Sequence, residues 1–213
     1  MLRNKFTFLG AAVVLVGSSI GLATSASATT TLFNTSAASV QCGSVIAATA
    51  TIAPPLSSAS TGTAVIKVKG TLGDCVSTGA TPSEPTIVSG SFAGTLNTVG
   101  APGCAGLLAP STITGNLVVK WKVASGQKLD HASTSLAGGT ITGGTFTGPG
   151  GNLYGQFTLA GQTFNTNSAF AGGTPSTVAA TSEDVGQLGA ACLGAPPGPG
   201  IKTIHLGLGI SIA

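Results

Sequence analysis

Leu117, Val119, Trp121 and Val123 alternate with Val118, Lys120 and Lys122, so one set of side chains is large and apolar while the other carries both lysines. A period of two sends successive side chains to opposite faces of a strand, and an α-helix would mix the two sets. The same beat runs through residues 64–72: Ala64, Ile66 and Val68 fall on one side, Val65, Lys67 and Lys69 on the other. Both Lys-x-Lys pairs are therefore expected on solvent faces, where they discourage pairing with another chain, and Trp121 in the core. The rival reading of the lysines is a basic ligand-binding patch.

Further strands are predicted over 40–52, 85–96, 129–136, 152–159, 162–170 and 202–212. Turn-rich breaks divide them at Ala53-Pro54-Pro55, Gly100-Ala101-Pro102-Gly103, Gly148-Pro149-Gly150-Gly151 and 195–200. Beyond the first 28 residues, Gly, Thr, Ser and Val dominate and helix signals are nearly absent. Many short strands parted by Gly and Pro predict an all-β fold, an antiparallel β-sandwich or β-barrel. One short repeat, Gly139-Thr140-Ile141-Thr142-Gly143 followed by Gly144-Thr145-Phe146-Thr147-Gly148, has an odd period. Ile141 and Phe146 should then face opposite sides, and a bend is expected at Gly143-Gly144.

Residues 1–28 read as a cleavable, helical signal peptide. Arg3 and Lys5 precede an apolar stretch over 6–22, and Ser25-Ala26-Ser27-Ala28 supplies the small residues of a cleavage site. Cleavage is expected between Ala28 and Thr29. The alternative, a membrane anchor, meets the difficulty that the longest glycine-free apolar run, residues 11–16, falls far short of the roughly 20 residues of a spanning helix. No transmembrane helix is expected after it. Residues 29–213 are read as a single β-rich secreted domain with 29–37 loose at its start.

Beyond residue 28, six lysines face five acids, so the mature charge is close to neutral. Charged residues make up 6% of the chain, against about 25% in typical soluble proteins. Such a chain lacks the electrostatic footprint of a nucleic-acid binder. Its four cysteines, Cys42, Cys75, Cys104 and Cys192, are an even count that in an exported protein reads as two disulfides. Three connectivities exist; Cys42–Cys75 with Cys104–Cys192 is favoured, because each pair ties an early segment to a later one without crossing. With no C-x-x-C and only two isolated histidines, no metal site is expected.

Residues for polar catalysis are scarce. No G-x-S-x-G elbow, phosphate-binding loop, H-E-x-x-H or EF-hand pattern occurs. A triad would have to draw on His131 or His205. Asp130 adjoins His131, but neighbours on a strand point apart. Glu183 and Asp184 lie in a polar stretch read as an exposed loop. No catalytic residue, cofactor or enzymatic activity is expected.

The order of Cys42, Gly70-Thr71-Leu72-Gly73-Asp74-Cys75, Cys104, Trp121-Lys122 and the late Cys192 resembles small secreted proteins of actinobacteria. In these a G-T-L-x-x-C step and a W-x strand recur between two cysteine pairs. The resemblance covers most of residues 40–213. It implies a secreted, disulfide-bonded all-β domain and carries over no site residues.

Three functions follow as expectations. The leading one is a secreted or cell-envelope domain that acts by surface contact with an envelope or protein partner. The second is a binder of a small apolar ligand or lipid inside a β-barrel, and the third an outer-envelope β-barrel pore. Self-association is expected as well, because few charges protect the strand edges.

Overall fold

The computed structural model describes residues 39–43, 48–58, 62–78, 86–99, 103–104, 110–125, 133–165, 170, 173–193 and 200–213. The signal peptide, its cleavage point, residues 29–37 and the pair Asp130 and His131 lie outside the described residues.

The strands are β1 (Ser39–Gly43), β2 (Ala48–Leu56), β3 (Val65–Thr78), β4 (Ile87–Thr98), β5 (Ser111–Val123), β6 (Ser133–Thr147), β7 (Leu153–Ala160), β8 (Thr163–Phe164), β9 (Pro175–Asp184) and β10 (Ile201–Ile212). Among the described residues one α-helix, α1 (Val185–Leu193), lies between β9 and β10. Every pairing is antiparallel. The order β10-β2-β3-β4-β5-β6-β7-β9 returns to β10 and closes an eight-stranded barrel. Of the two architectures open to the sequence, the barrel is the one formed. The two disulfides are Cys42–Cys75 and Cys104–Cys192, the favoured connectivity.

Period-two alternation decides which side chains fill the barrel. Along β5, Ile113, Leu117, Val119 and Trp121 are buried while Thr114, Lys120 and Lys122 are exposed. On β3, Ile66 and Val68 turn inward and Lys67 and Lys69 outward. Inward rings need room beside them, and glycine provides it. Gly70 pairs with Phe92 across the sheet, and a Cβ on Gly70 would lie 2.7 Å from the Phe92 ring and 3.0 Å from the Ala48 backbone. Trp121 pairs with Gly90, donates from Nε1 to Thr134 Oγ1 at 2.8 Å, and meets Phe170 edge-on with ring centroids 5.7 Å apart. The expected core role of Trp121 holds.

Two strands share one place in the wall. β1 and β2 both pair with β10 and β3, at opposite ends of the same slot, and both fall within the single strand expected over 40–52 or extend it. The expected strand does not stop at Ala53. β2 continues through Pro54 and Pro55 to Leu56, with a cis Ala53–Pro54 bond. Proline donates no hydrogen bond and is confined to edges and bulges. Here the β2–β3 ladder ends at Ala53 and the register against β10 shifts over the same stretch, so neither proline removes a ladder bond.

Of the strand expected over 162–170, the described residues place Thr163–Phe164 in β8, and Phe170 takes a left-handed φ of 62°. Of the segment expected over 129–136, the described part starts at Ser133 and runs on to Thr147. Ile141 lines the interior and Phe146 is exposed, as the odd repeat requires. The expected bend at Gly143-Gly144 does not occur: β6 pairs residue by residue with β7 from Thr140 to Thr147. The irregularity falls at Gly138 and Gly139, with φ of 62° and 125°, where β6 changes partner from β8 to β7.

Two elements carry no signal that the alternation reveals. β9 is not among the expected strands, and only its end, Glu183 and Asp184, was read as loop, yet it closes the barrel between β7 and β10. Its inward face carries Thr177, Ala179 and Thr181 while Val178 and Ala180 fall on the other, which erases the apolar–polar contrast. In α1, Gly186 and Gly189 lower the helix propensity. A capping box starts it all the same: Gln187 N–H donates to Asp184 Oδ1 at 2.8 Å, and Asp184 N–H donates to Gln187 Oε1 at 3.3 Å.

Candidate functional site

An eight-stranded barrel has an interior that side chains just fill, or that keeps room for one small ligand. Both conditions occur here, one above the other. Toward the rim where β1 and β3 are bridged by Cys42–Cys75, the interior is filled by Leu72, Ile87, Phe92, Trp121 and Ile212. Toward the opposite rim, which carries the β6–β7 turn and α1, the inward positions hold aliphatic side chains and no ring larger than Phe157. A cavity of about 110 Å³ remains there. Ala50 and Ala179 lie on its wall with Ile66, Leu96, Ile113, Leu117 and Leu208, and among the described residues Thr177 is the one polar residue lining it.

Thr177 is also the link to a buried amide. Its hydroxyl donates to Gln162 Oε1 at 3.3 Å, and Gln162 is 6% exposed. Gln162 stands between β7 and β8, at the step where the wall passes from one strand to the other. Its Nε2 has no hydrogen-bond partner.

The upper rim is capped. Leu188 and Ala191 of α1 pack against the core, and Cys192 is buried and bonded to Cys104 in the β4–β5 connection. Ala191 carbonyl accepts from Gly200 N–H at 3.1 Å, returning the chain to β10. Just before the helix, Glu183 meets His205. The carboxylate accepts from His205 backbone N–H, 3.1 and 3.2 Å from its two oxygens, and Oε1 lies 2.6 Å from Nδ1. Burial pushes the Glu183 carboxyl up, but the hydrogen bonds from His205 outweigh burial and hold it below the ordinary carboxylate range.

Glu183 and Asp184, expected in a loop, thus end β9 and hold the helix. Ser182 completes a trio of hydroxyl, carboxylate and imidazole, without the geometry of a triad. Its hydroxyl is directed to Glu183 Oε2 and the His205 carbonyl, whereas a nucleophile must bond the imidazole nitrogen that the carboxylate leaves free. Among the described residues, no group of three or more His, Cys, Asp or Glu is placed to hold a metal ion. No helix among them is long and apolar enough to cross a membrane.

The four lysines of the Lys-x-Lys pairs are exposed on the outside of β3 and β5, with β4 between them. No protein-family model, curated protein or solved structure matches this chain. The cavity, Thr177, Gln162 and the helix were not marked out by sequence reasoning. The one available signal was a capping-box pattern, Asp184-x-x-Gln187, ahead of Leu188.

Proposed function

We propose that this chain is an exported, non-enzymatic protein whose barrel takes up a small apolar molecule. The observation that carries the reading is the cavity of about 110 Å³ with a wall apolar except for Thr177. Apolar cavities of about 150 Å³ stay dry and bind molecules the size of benzene. This one suits a short alkyl chain or the tip of a longer one. The export part of the reading is supported by the signal-like residues 1–28 and by two disulfides, which persist in oxidising compartments.

A pore is less well supported, because a transmembrane barrel carries its apolar residues outward and its polar ones toward the lumen. Here the inward residues are aliphatic and Lys67, Lys69, Lys120 and Lys122 face out. Surface contact with an envelope or protein partner remains a second reading. It is favoured by the tip of the β6–β7 hairpin, where Phe146 stacks on Tyr154 with centroids 5.6 Å apart and Leu153 is exposed.

Methyl NMR with hexane tests the main reading. Burial of about six methylene-sized groups at about 0.8 kcal/mol each, less the cost of association, corresponds to a Kd on the order of a millimolar or weaker. Hexane should shift the methyl signals of Ile66, Ile113 and Leu117, and the cavity-filling substitution Ala179→Leu should abolish those shifts while the barrel stays folded. Unchanged methyl signals, or shifts that survive the filled cavity, would remove the interior as a binding site.

A further inference from the structure

β6 outruns its neighbour β5. The ladder between them starts at Ser111 opposite Ile141, whereas the ladder between β6 and β7 continues to Thr147 opposite Leu153. Residues 142–147 therefore stand above the start of β5, an overhang of about 20 Å at the usual rise of a strand. Among the described residues, nothing pairs with this stretch of β6 on the side away from β7. Thr142, Gly144, Thr145, Phe146 and Thr147 are exposed.

The turn tells which backbone groups are open. Gly148 N–H donates to the Asn152 carbonyl at 2.9 Å. Hydrogen-bonded and non-hydrogen-bonded pairs alternate along an antiparallel ladder. Counting back from that bond, Thr142, Gly144 and Phe146 turn their N–H and C=O groups to β7, and Gly143, Thr145 and Thr147 turn theirs to the open edge. Such an edge is a template for another strand, and folded proteins blunt it with lysine, proline or a bulge. This one has none of these. Residues 142–147 are threonine, glycine and phenylalanine, paired without a bulge to β7, and the chain carries no Asp, Glu, Lys or Arg from 132 to 182.

The edge is also complementary to itself. A two-fold axis beside Thr145 sets Thr145 of one copy opposite Thr145 of another, and Gly143 opposite Thr147, all through the open backbone groups. In the same register Phe146 of each copy falls opposite Gly144 of the other, at the non-hydrogen-bonded positions where facing residues lie closest. A Cβ on Gly144 would meet nothing within 4 Å, so there is room for the ring. An aromatic residue across from an edge glycine is a device that pins strand register. The pairing ends at Ile141, where β5 takes over.

We infer that two copies of this protein join edge to edge through residues 142–147 of β6, antiparallel and about a two-fold axis at Thr145. The inference is independent of the cavity. The absence of charge favours a second copy over a charged partner strand, since neither copy brings an ion that the other would leave unpaired. Two-fold pairing uses up both edges, so assembly stops at the dimer. About six backbone hydrogen bonds and a pair of Phe–Gly contacts make an interface below the standard size, and the dimer is weak and reversible.

Sedimentation equilibrium from about 10 µM to about 1 mM should show the average mass rising from one chain toward two. Amide exchange at Gly143, Thr145 and Thr147 should slow as concentration rises, while Gly144 and Phe146, already bonded to β7, stay unchanged. In a mixture of differently labelled copies, the Hα atoms of Gly144 and Phe146 should give a nuclear Overhauser contact between chains; within one strand they stand about 7 Å apart. Thr145→Lys sets like charges opposite each other and should return the protein to monomer. Thr145→Pro removes an N–H that faces only the open edge and should do the same.

A single-chain mass at about 1 mM would overturn the inference. So would a rise in mass that Thr145→Lys leaves untouched, or one without the contact between Gly144 and Phe146, since the copies would then meet on another surface. The exchange and contact measurements use the unaltered chain, so they decide the matter even if neither variant folds.

Discussion

At the scale of single residues, glycine shapes this barrel as much as the large side chains do. Phe92 reaches across the interior because Gly70 beside it has no Cβ. Gly70→Ala places a methyl against both the ring and the Ala48 backbone, and an overpacked core loses about 1–3 kcal/mol. The expected outcome is a lower midpoint in urea unfolding at unchanged slope. A midpoint equal to that of the parent chain would mean the ring can simply turn aside.

Glu183 provides a test in pH. Its carboxyl is held below its ordinary range by His205. The unfolded chain therefore binds a proton that the folded chain still refuses, and stability rises with pH in that window. The contribution is present above the ordinary carboxylate range and is lost as pH falls through and below it. Thermal unfolding of Glu183→Gln from about pH 6 to about pH 3 should lose less stability than the parent chain over the same range. Parallel curves would show that Glu183 contributes nothing to the acid side.

Among the elements, α1 is the one whose attachment can be separated from the barrel. It is held by its capping box, by Leu188 and Ala191, and by the Cys104–Cys192 bridge with a sequence separation of 88. A loop of that length corresponds to about 4–5 kcal/mol in the chain-entropy treatment. Replacing both cysteines by serine should lower overall stability by up to that amount and speed hydrogen exchange in α1 well before exchange in β3 to β5. Exchange that rises uniformly would place the helix inside the same cooperative unit as the sheet.

How much of these elements the sequence disclosed depends on contrast. β3 and β5 were legible because Lys67, Lys69, Lys120 and Lys122 alternate with large apolar residues. β9 was not, since Val178, Ala179 and Ala180 blur its two faces, and only pairing with β7 and β10 shows that it is a strand. The glycines of α1 concealed a helix whose start signal was present. The cysteine pairing followed from an uncrossed order. The candidate site lay beyond reach, because the cavity belongs to many strands at once and Gln162 differs from other glutamines only by what surrounds it.

At the scale of the whole molecule, closure matters most. Self-association was expected because strand edges seemed exposed, and pairing of β9 with β10 leaves the barrel wall without the long free edge on which that expectation rested. Closure also sets the positions of the charges. β9 stands four strands from β4 in either direction round the barrel. Lys67, Lys69, Lys120 and Lys122 flank β4, whereas Glu183 and Asp184 end β9 on the far side; Asp74 lies low on β3 and Lys202 on β10. The described charges are therefore divided across the barrel, four lysines on the β3–β5 wall and two carboxylates on the wall opposite. Near an anionic surface such a particle turns before it is drawn in, presenting the β3–β5 wall and leaving the wall of Glu183 and Asp184 toward solution. Adsorption to anionic beads should weaken with added salt more steeply than one net charge would give, and Lys67→Gln with Lys120→Gln should remove the difference. The alternating lysines from which the strands were first read would then act as a compass for the folded barrel.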